Sequence, residues 1–185
     1  MSKFIAYLFL FYSFYVFPQT IIVSPQQSNS VKFLAKSTFT DFEGTTSAIE
    51  GNITWDSSLT NKSEINLKVY LDSLDTGIGL RNSHMRDKYL ETKKYPTADF
   101  TGKIISADKI SNLESDVVVE GSLKIHGIKK SYKIRGKIFN YGKLYKIEAG
   151  FKINLEDFKI DQPAFLFNKV DNEIGIELVV YFIRK

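Results

Sequence analysis

Two histidines, His84 and His126, are the only imidazoles in the chain of 185 residues, so general-base chemistry of the Ser-His-Asp kind would have to run through one of them. His84 stands in a basic run with Arg81, Arg86 and Lys88, with Asp75 a short way upstream. Such a grouping could hold or act on a polar head group, although the plainer reading is one wet face of a helix. His126 precedes Gly127, a pair that reads as a tight turn rather than as a base. Asp72 and Asp75 lack the further oxygen ligands that a calcium loop would need. Cysteine is absent, which removes a thiol nucleophile, a disulfide framework, a cysteine-containing zinc site and a thioether lipid anchor. No glycine loop suited to cradling phosphates occurs. The residues therefore point away from an enzyme, from a bound metal and from a cofactor.

A second polar feature is a basic stripe in which Lys129, Lys133, Arg135 and Lys137 alternate along one run beside Lys130. The formal net charge is only +4, from 25 basic and 21 acidic side chains, and the aromatics of the strand runs sit mostly on the opposite register. A single-strand nucleic-acid surface would interleave aromatics with the charges, so nucleic acid is not the expected partner. The stripe suits an exterior sheet face, and as a functional surface it would suit an anionic membrane or a phosphorylated head group.

The elements that must position these residues begin with a separate object. Eight of the 25 Phe and Tyr residues fall in the uncharged stretch FIAYLFLFYSFYVF, residues 4–17, which follows Lys3 and ends at Pro18. That is long enough for the apolar core of an export signal and short for a membrane-spanning helix, which needs about 20 apolar residues. The chain accordingly divides into a signal peptide over 1–24 with cleavage somewhere in 19–30, a polar spacer over 25–30, and a folded domain over 31–185. An uncleaved anchor is the alternative. Export places the domain in the periplasm or outside the cell.

From Val31 onward apolar residues recur with a period of two, the pattern of strands with one buried and one solvated face. Eight runs are legible, the clearest over 64–74, where Ile65, Leu67, Val69 and Leu71 share one face. His126-Gly127 and the Asn140-Tyr141-Gly142 triplet fall between adjacent runs, as turns of a meander require. Glycines 51, 102, 121 and 136 lie on the apolar register and suggest curvature. The expected fold is all-β, an eight-stranded antiparallel barrel with a short helix over 82–91, capped by Asn82 or Ser83, between strands three and four. A two-sheet sandwich is the alternative.

The inward register carries Trp55, Leu67, Val69, Phe100, Leu123, Ile134 and Phe151, an almost wholly apolar lining. Such residues can simply fill a core. Small inward residues, glycines among them, would instead leave room for a long apolar ligand, each buried methylene contributing about 0.8 kcal/mol. The expected site packs a tail on those seven residues, closes one end with Phe158, Phe165 and Phe167, and sets a head group near Arg81 and His84.

The stretches SLDTGIGLRNSHM and KYPTADFTGKI, then VEGSLKIHGIKK, AGFKINLEDFKI and VDNEIGIELVV, resemble the YceI-like family over nearly the whole domain. Asp75, Thr76, Gly77, Arg81, His84, Tyr95, Pro96 and Phe100 carry the most specific part. Asn82 departs from the pattern, where an aspartate is expected after the arginine, and so does Lys159, where a glycine often follows the aromatic. The resemblance implies a lipocalin-like barrel holding a polyisoprenoid or similar long-chain lipid, and a homodimer, whereas membrane-surface contact is expected from the basic stripe alone. Two rival readings stand beside it: an enzyme acting on a lipid head group through His84, Arg81 and Asp75, and a filled barrel that docks a membrane protein.

Overall fold

The computed structural model describes residues 19–55, 63–165 and 168–184. Its strands are β1 Gln19–Val23, β2 Ser30–Ser37, β3 Phe42–Thr46, β4 Ile49–Trp55, β5 Glu64–Tyr70, β6 Thr97–Lys109, β7 Glu114–Ile125, β8 Ile128–Tyr141, β9 Leu144–Asn154, β10 Ala164–Phe165 and β11 Asn168–Arg184. β1 and β2 follow one another along the same edge of β11, while β4 pairs β1 and β3 pairs β2. β1 with β2, and β3 with β4, thus each behave as one interrupted strand. Counted so, eight strands pair in chain order and β11 returns to β1 and β2, closing an antiparallel barrel. β3 lies at the end of the path, paired with β2 and joined on its other side by the isolated bridge from Thr45 to Asp75. The two-residue β10 adds a small hairpin onto β11.

The turns show why the meander closes. Ile125 pairs with Ile128 across His126 and Gly127, whose φ values of 52° and 78° are those of a tight primed turn. At the next hairpin Tyr141 pairs with Leu144, so the turn residues are Gly142 and Lys143, one step later than the expected triplet. The side chain of Asn140 still serves the turn, accepting a hydrogen bond from the Gly142 N–H.

Four expectations need correction. The barrel does not begin at Val31: β1 is part of it, and Ile21 is fully buried between β4 and β11. Nor are residues 25–30 a spacer, because Asn29 is buried, donates to the Ser24 carbonyl at 2.7 Å and accepts from the Tyr181 N–H at 2.8 Å. A polar composition reads as a loop, yet here side-chain bonds replace the strand ladder. The apolar stretch 4–17 lies outside the described residues. Among those described, no helix is long and apolar enough to cross a membrane.

The helix also starts earlier than expected. α1 spans Gly79–His84 and continues through a wider π-helical turn over Met85–Tyr89, with Ile78 at the N-cap and no side-chain cap bond. Asn82 lies inside the helix, its amide turned back toward Thr76 rather than toward the helix end.

The fourth correction concerns the inward glycines. Gly102 and Gly121 pair directly across β6 and β7, and a Cβ on Gly121 would sit 2.5 Å from the Thr101 carbonyl oxygen and 2.6 Å from the Phe100 ring. The space they release is occupied by Phe100, so these glycines permit a close approach rather than an empty lumen. Two apolar clusters close the barrel's interior. One holds Ile21, Ile53, Ile104, Val180 and Phe182, the other Leu123, Ile153, Phe158, Ile160 and Ile174.

Candidate ligand cavity

Between the two clusters the barrel encloses a cavity of about 710 Å³, within the range of sites that bury a small molecule. Leu67, Val69, Phe100, Leu123, Ile134 and Phe151 all stand on its wall, as their inward register required. Phe158 does not. It is fully buried behind the wall, its ring stacked on Tyr132 at 6.4 Å with an interplanar angle of 8°. The side chains of Trp55 and Phe165, and all of Phe167, lie outside the described residues.

The mouth is built from the insertion between β5 and β6. Leu80, Arg81, His84, Met85 and Lys88 line the cavity from successive turns of one helical face. Ile78 and Leu80 also remain 52% and 68% exposed, which places the opening beside them. Arg81 and His84 were identifiable from the sequence. Lys88 stands in the basic run noted in the sequence, whereas Ile78, Leu80 and Met85 are not among the expected site residues, although the i, i+4, i+8 spacing of Leu80, His84 and Lys88 is a signal for this face.

Arg81 is held in place by a compact network. Its Nε donates to the Thr76 hydroxyl oxygen and one Nη to the Thr76 carbonyl, each at 2.9 Å, with the guanidinium 4.3 Å from the centre of the Phe42 ring. Thr76 in turn donates its hydroxyl and its backbone N–H to the Asn82 amide oxygen, at 2.7 and 2.9 Å. The Asn82 amide nitrogen donates to Asp75 Oδ1 at 2.7 Å, and the Gly77 N–H to the same oxygen at 2.8 Å. Those two donors, Asn82 first, hold the Asp75 carboxyl below its ordinary range. An ionised aspartate at position 82 could not donate to Asp75, so this link depends on the Asn82 amide. Among the described residues no hydrogen bond or ion pair joins His84 to Arg81 or to Asp75, although Arg81 and His84 line the same cavity.

The remaining polar candidates lie elsewhere. His126 Nδ1 donates to the Phe158 carbonyl at 3.1 Å and Nε2 faces Glu91 Oε2 at 2.7 Å, with the ring against Tyr95. This fastens the β7–β8 turn to the end of the insertion. Lys129, Lys133, Arg135 and Lys137 are exposed on the outer face of β8, where Lys133 and Lys137 pair in register with Glu120 and Asp116 of β7. No group of three metal-ligating acidic or histidine side chains occurs among the described residues.

A closed eight-stranded antiparallel barrel around one apolar cavity defines a protein of the lipocalin type. Residues 23–182 match the model of the YceI-like domain, and the chain belongs to that family. It is 31% identical over 130 residues to the YceI protein of Escherichia coli O17:K52:H18 (strain UMN026 / ExPEC), covering 66% of this chain and 62% of that one. A Pseudomonas putida (strain GB-1) protein of the UPF0312 group is 28% identical over 137 residues, 72% of this chain and 71% of its own. The fold matches a polyisoprenoid-binding domain from Saccharophagus degradans with a TM-score of 0.72 at 16% identity, over 91% of this chain and 99% of that domain. BcnA of Burkholderia cenocepacia matches with a TM-score of 0.69 at 16% identity, over 83% of this chain and 95% of BcnA.

Proposed function

We propose that the protein is an exported binding protein, not an enzyme, that holds a polyisoprenoid or similar long-chain amphiphile with its tail in the barrel and its head at the helix. The observation that carries this reading is the cavity itself: about 710 Å³ walled by apolar side chains, open beside Ile78 and Leu80. Removing a long hydrocarbon from water supplies the affinity, and a wall without polar groups at depth offers nothing to a polar ligand. The Saccharophagus degradans neighbour is a polyisoprenoid-binding domain, which agrees with this reading. Leu67, Val69, Phe100, Leu123, Ile134 and Phe151 are the proposed tail contacts, with Arg81 and His84 at the head, and the apolar residues 4–17 are read as the export signal.

Organic extraction of the purified protein followed by mass spectrometry tests the proposal. A co-purifying long-chain lipid in stoichiometric amount is the expected result. A preparation that is lipid-free, and that neither binds added polyprenyl lipids nor melts higher in their presence, sinks the carrier reading in favour of a filled barrel.

A further inference from the structure

Resting on that reading, we infer that the bound amphiphile carries an anionic head group, recognised at the mouth by Arg81, His84 and Lys88. The polar side chains on the described cavity wall are few, and none is acidic. Besides Thr40 and the Tyr89 hydroxyl they are Lys32, Arg81, His84 and Lys88. Lys32 already has a counter-ion, Glu43 at 3.1 Å. Arg81, His84 and Lys88 appear in no ion pair among the described residues, although surface lysines elsewhere on the barrel repeatedly do.

The nearby carboxylates do not fill the gap. Asp75 is engaged by Asn82 and Gly77, Asp41 accepts from the Ser37 N–H, and Glu91 faces His126. Asp87, on the same helical segment, is absent from the wall. Arg81, a residue of the cavity wall, is ordered by two bonds to Thr76 and by the Phe42 ring, so its second Nη can bind a ligand with little further loss of side-chain freedom. A cationic rim over an apolar cavity is uncompensated on the side facing the ligand, and a phosphate or carboxylate there supplies the missing charge. A neutral alcohol or quinone head would leave it unpaired.

The test compares ligands of one tail and two heads: a polyprenyl monophosphate against the polyprenol of equal length, and oleate against oleyl alcohol, each at low and at 1 M salt. The two pairs separate a phosphate source from a carboxylate source. The anionic member should bind about tenfold more tightly at low salt, and the preference should shrink at 1 M salt. The doubly substituted protein His84→Gln/Lys88→Gln, altered only at exposed positions, should lose most of the preference for the anionic member, and a preference equal to that of the unaltered protein overturns the assignment to these residues. If acid and alcohol heads bind equally to the unaltered protein, the head-group inference is overturned and the carrier reading stands. If no member binds, the carrier reading falls and takes this inference with it.

Discussion

The Glu91 carboxylate lies 2.7 Å from His126 Nε2 across the gap between the helical insertion and the β7–β8 turn, while His126 Nδ1 donates to the Phe158 carbonyl. One imidazole thus joins three separate segments at the end of the barrel that carries the mouth. The His126 side chain is only 12% exposed and that of Glu91 44%, so the two contacts differ in weight. Replacing His126 by alanine leaves the Phe158 carbonyl unpaired and should cost about 1–2 kcal/mol. Glu91→Ala removes only a partly solvated partner and should cost about 0.2–1 kcal/mol. Urea unfolding of both variants checks the order, and equal costs would show that the Phe158 contact contributes nothing.

Asn82 is buried at the centre of the network that fixes Arg81, and its amide oxygen satisfies two donors of Thr76. Asn82→Ala should destabilise the protein by about 1–3 kcal/mol, because the Thr76 N–H is left buried without a partner. The same change should return the Asp75 carboxyl upward toward its ordinary value. The sign follows from the lowered value in the folded state: its stabilising effect is present above the ordinary carboxylate range, about pH 4, and is lost as pH falls through the folded value. Titration of Asp75 by carbon-detected NMR in both proteins reads this directly. An unchanged Asp75 titration in Asn82→Ala would refute the assigned cause.

The barrel was legible because its clearest strands alternate strictly. Ile65, Leu67 and Val69 of β5 occupy one register, and β6 pairs to it with Ala98, Phe100 and Gly102 opposite. β3 escaped notice because its sequence FEGTT carries a single large apolar residue, and its place is set instead by pairing with β2 and by the bridge from Thr45 to Asp75. The register also identified which side chains face inward. It could not reveal how far a ring reaches along the sheet, which is why Phe100 covering Gly102 and Gly121 came only with the structure. Lys159 has a simpler explanation. Its φ of 54° lies in the left-handed region, the conformation for which a glycine would be favoured at that position.

Blocking the cavity needs a position on its wall whose neighbours leave room, and Ala149 of β9 is one. It pairs with Gly136 on one side and Leu178 on the other. Ala149→Phe should reduce ligand affinity more than tenfold at a stability cost of about 1–3 kcal/mol from overpacking. Gly121→Phe is the wrong tool, since even its Cβ would strike the Thr101 carbonyl, and it should fail to fold. Lipid binding by fluorescence, with far-UV circular dichroism as the folding control, separates the two. Undiminished binding by folded Ala149→Phe would place the tail elsewhere.

β1 sets a limit on any processing of the N-terminus. Ile21 is fully buried and Val23 nearly so, and β1 supplies the pairing partner of both β4 and the end of β11. A chain trimmed to begin at residue 25 loses both side chains from the core, which costs about 3 kcal/mol or more, and uncovers strand edges that invite association between molecules. On the proposed export reading, the cut should therefore fall before Gln19, leaving the whole of β1 on the mature protein. Intact-mass measurement of the protein recovered from the cell envelope or medium identifies the first residue, and the melting temperature of a chain starting at residue 25 checks the energetic argument. A mature form that begins at or beyond residue 25 and melts no lower than a form retaining β1 would show that this strand is dispensable.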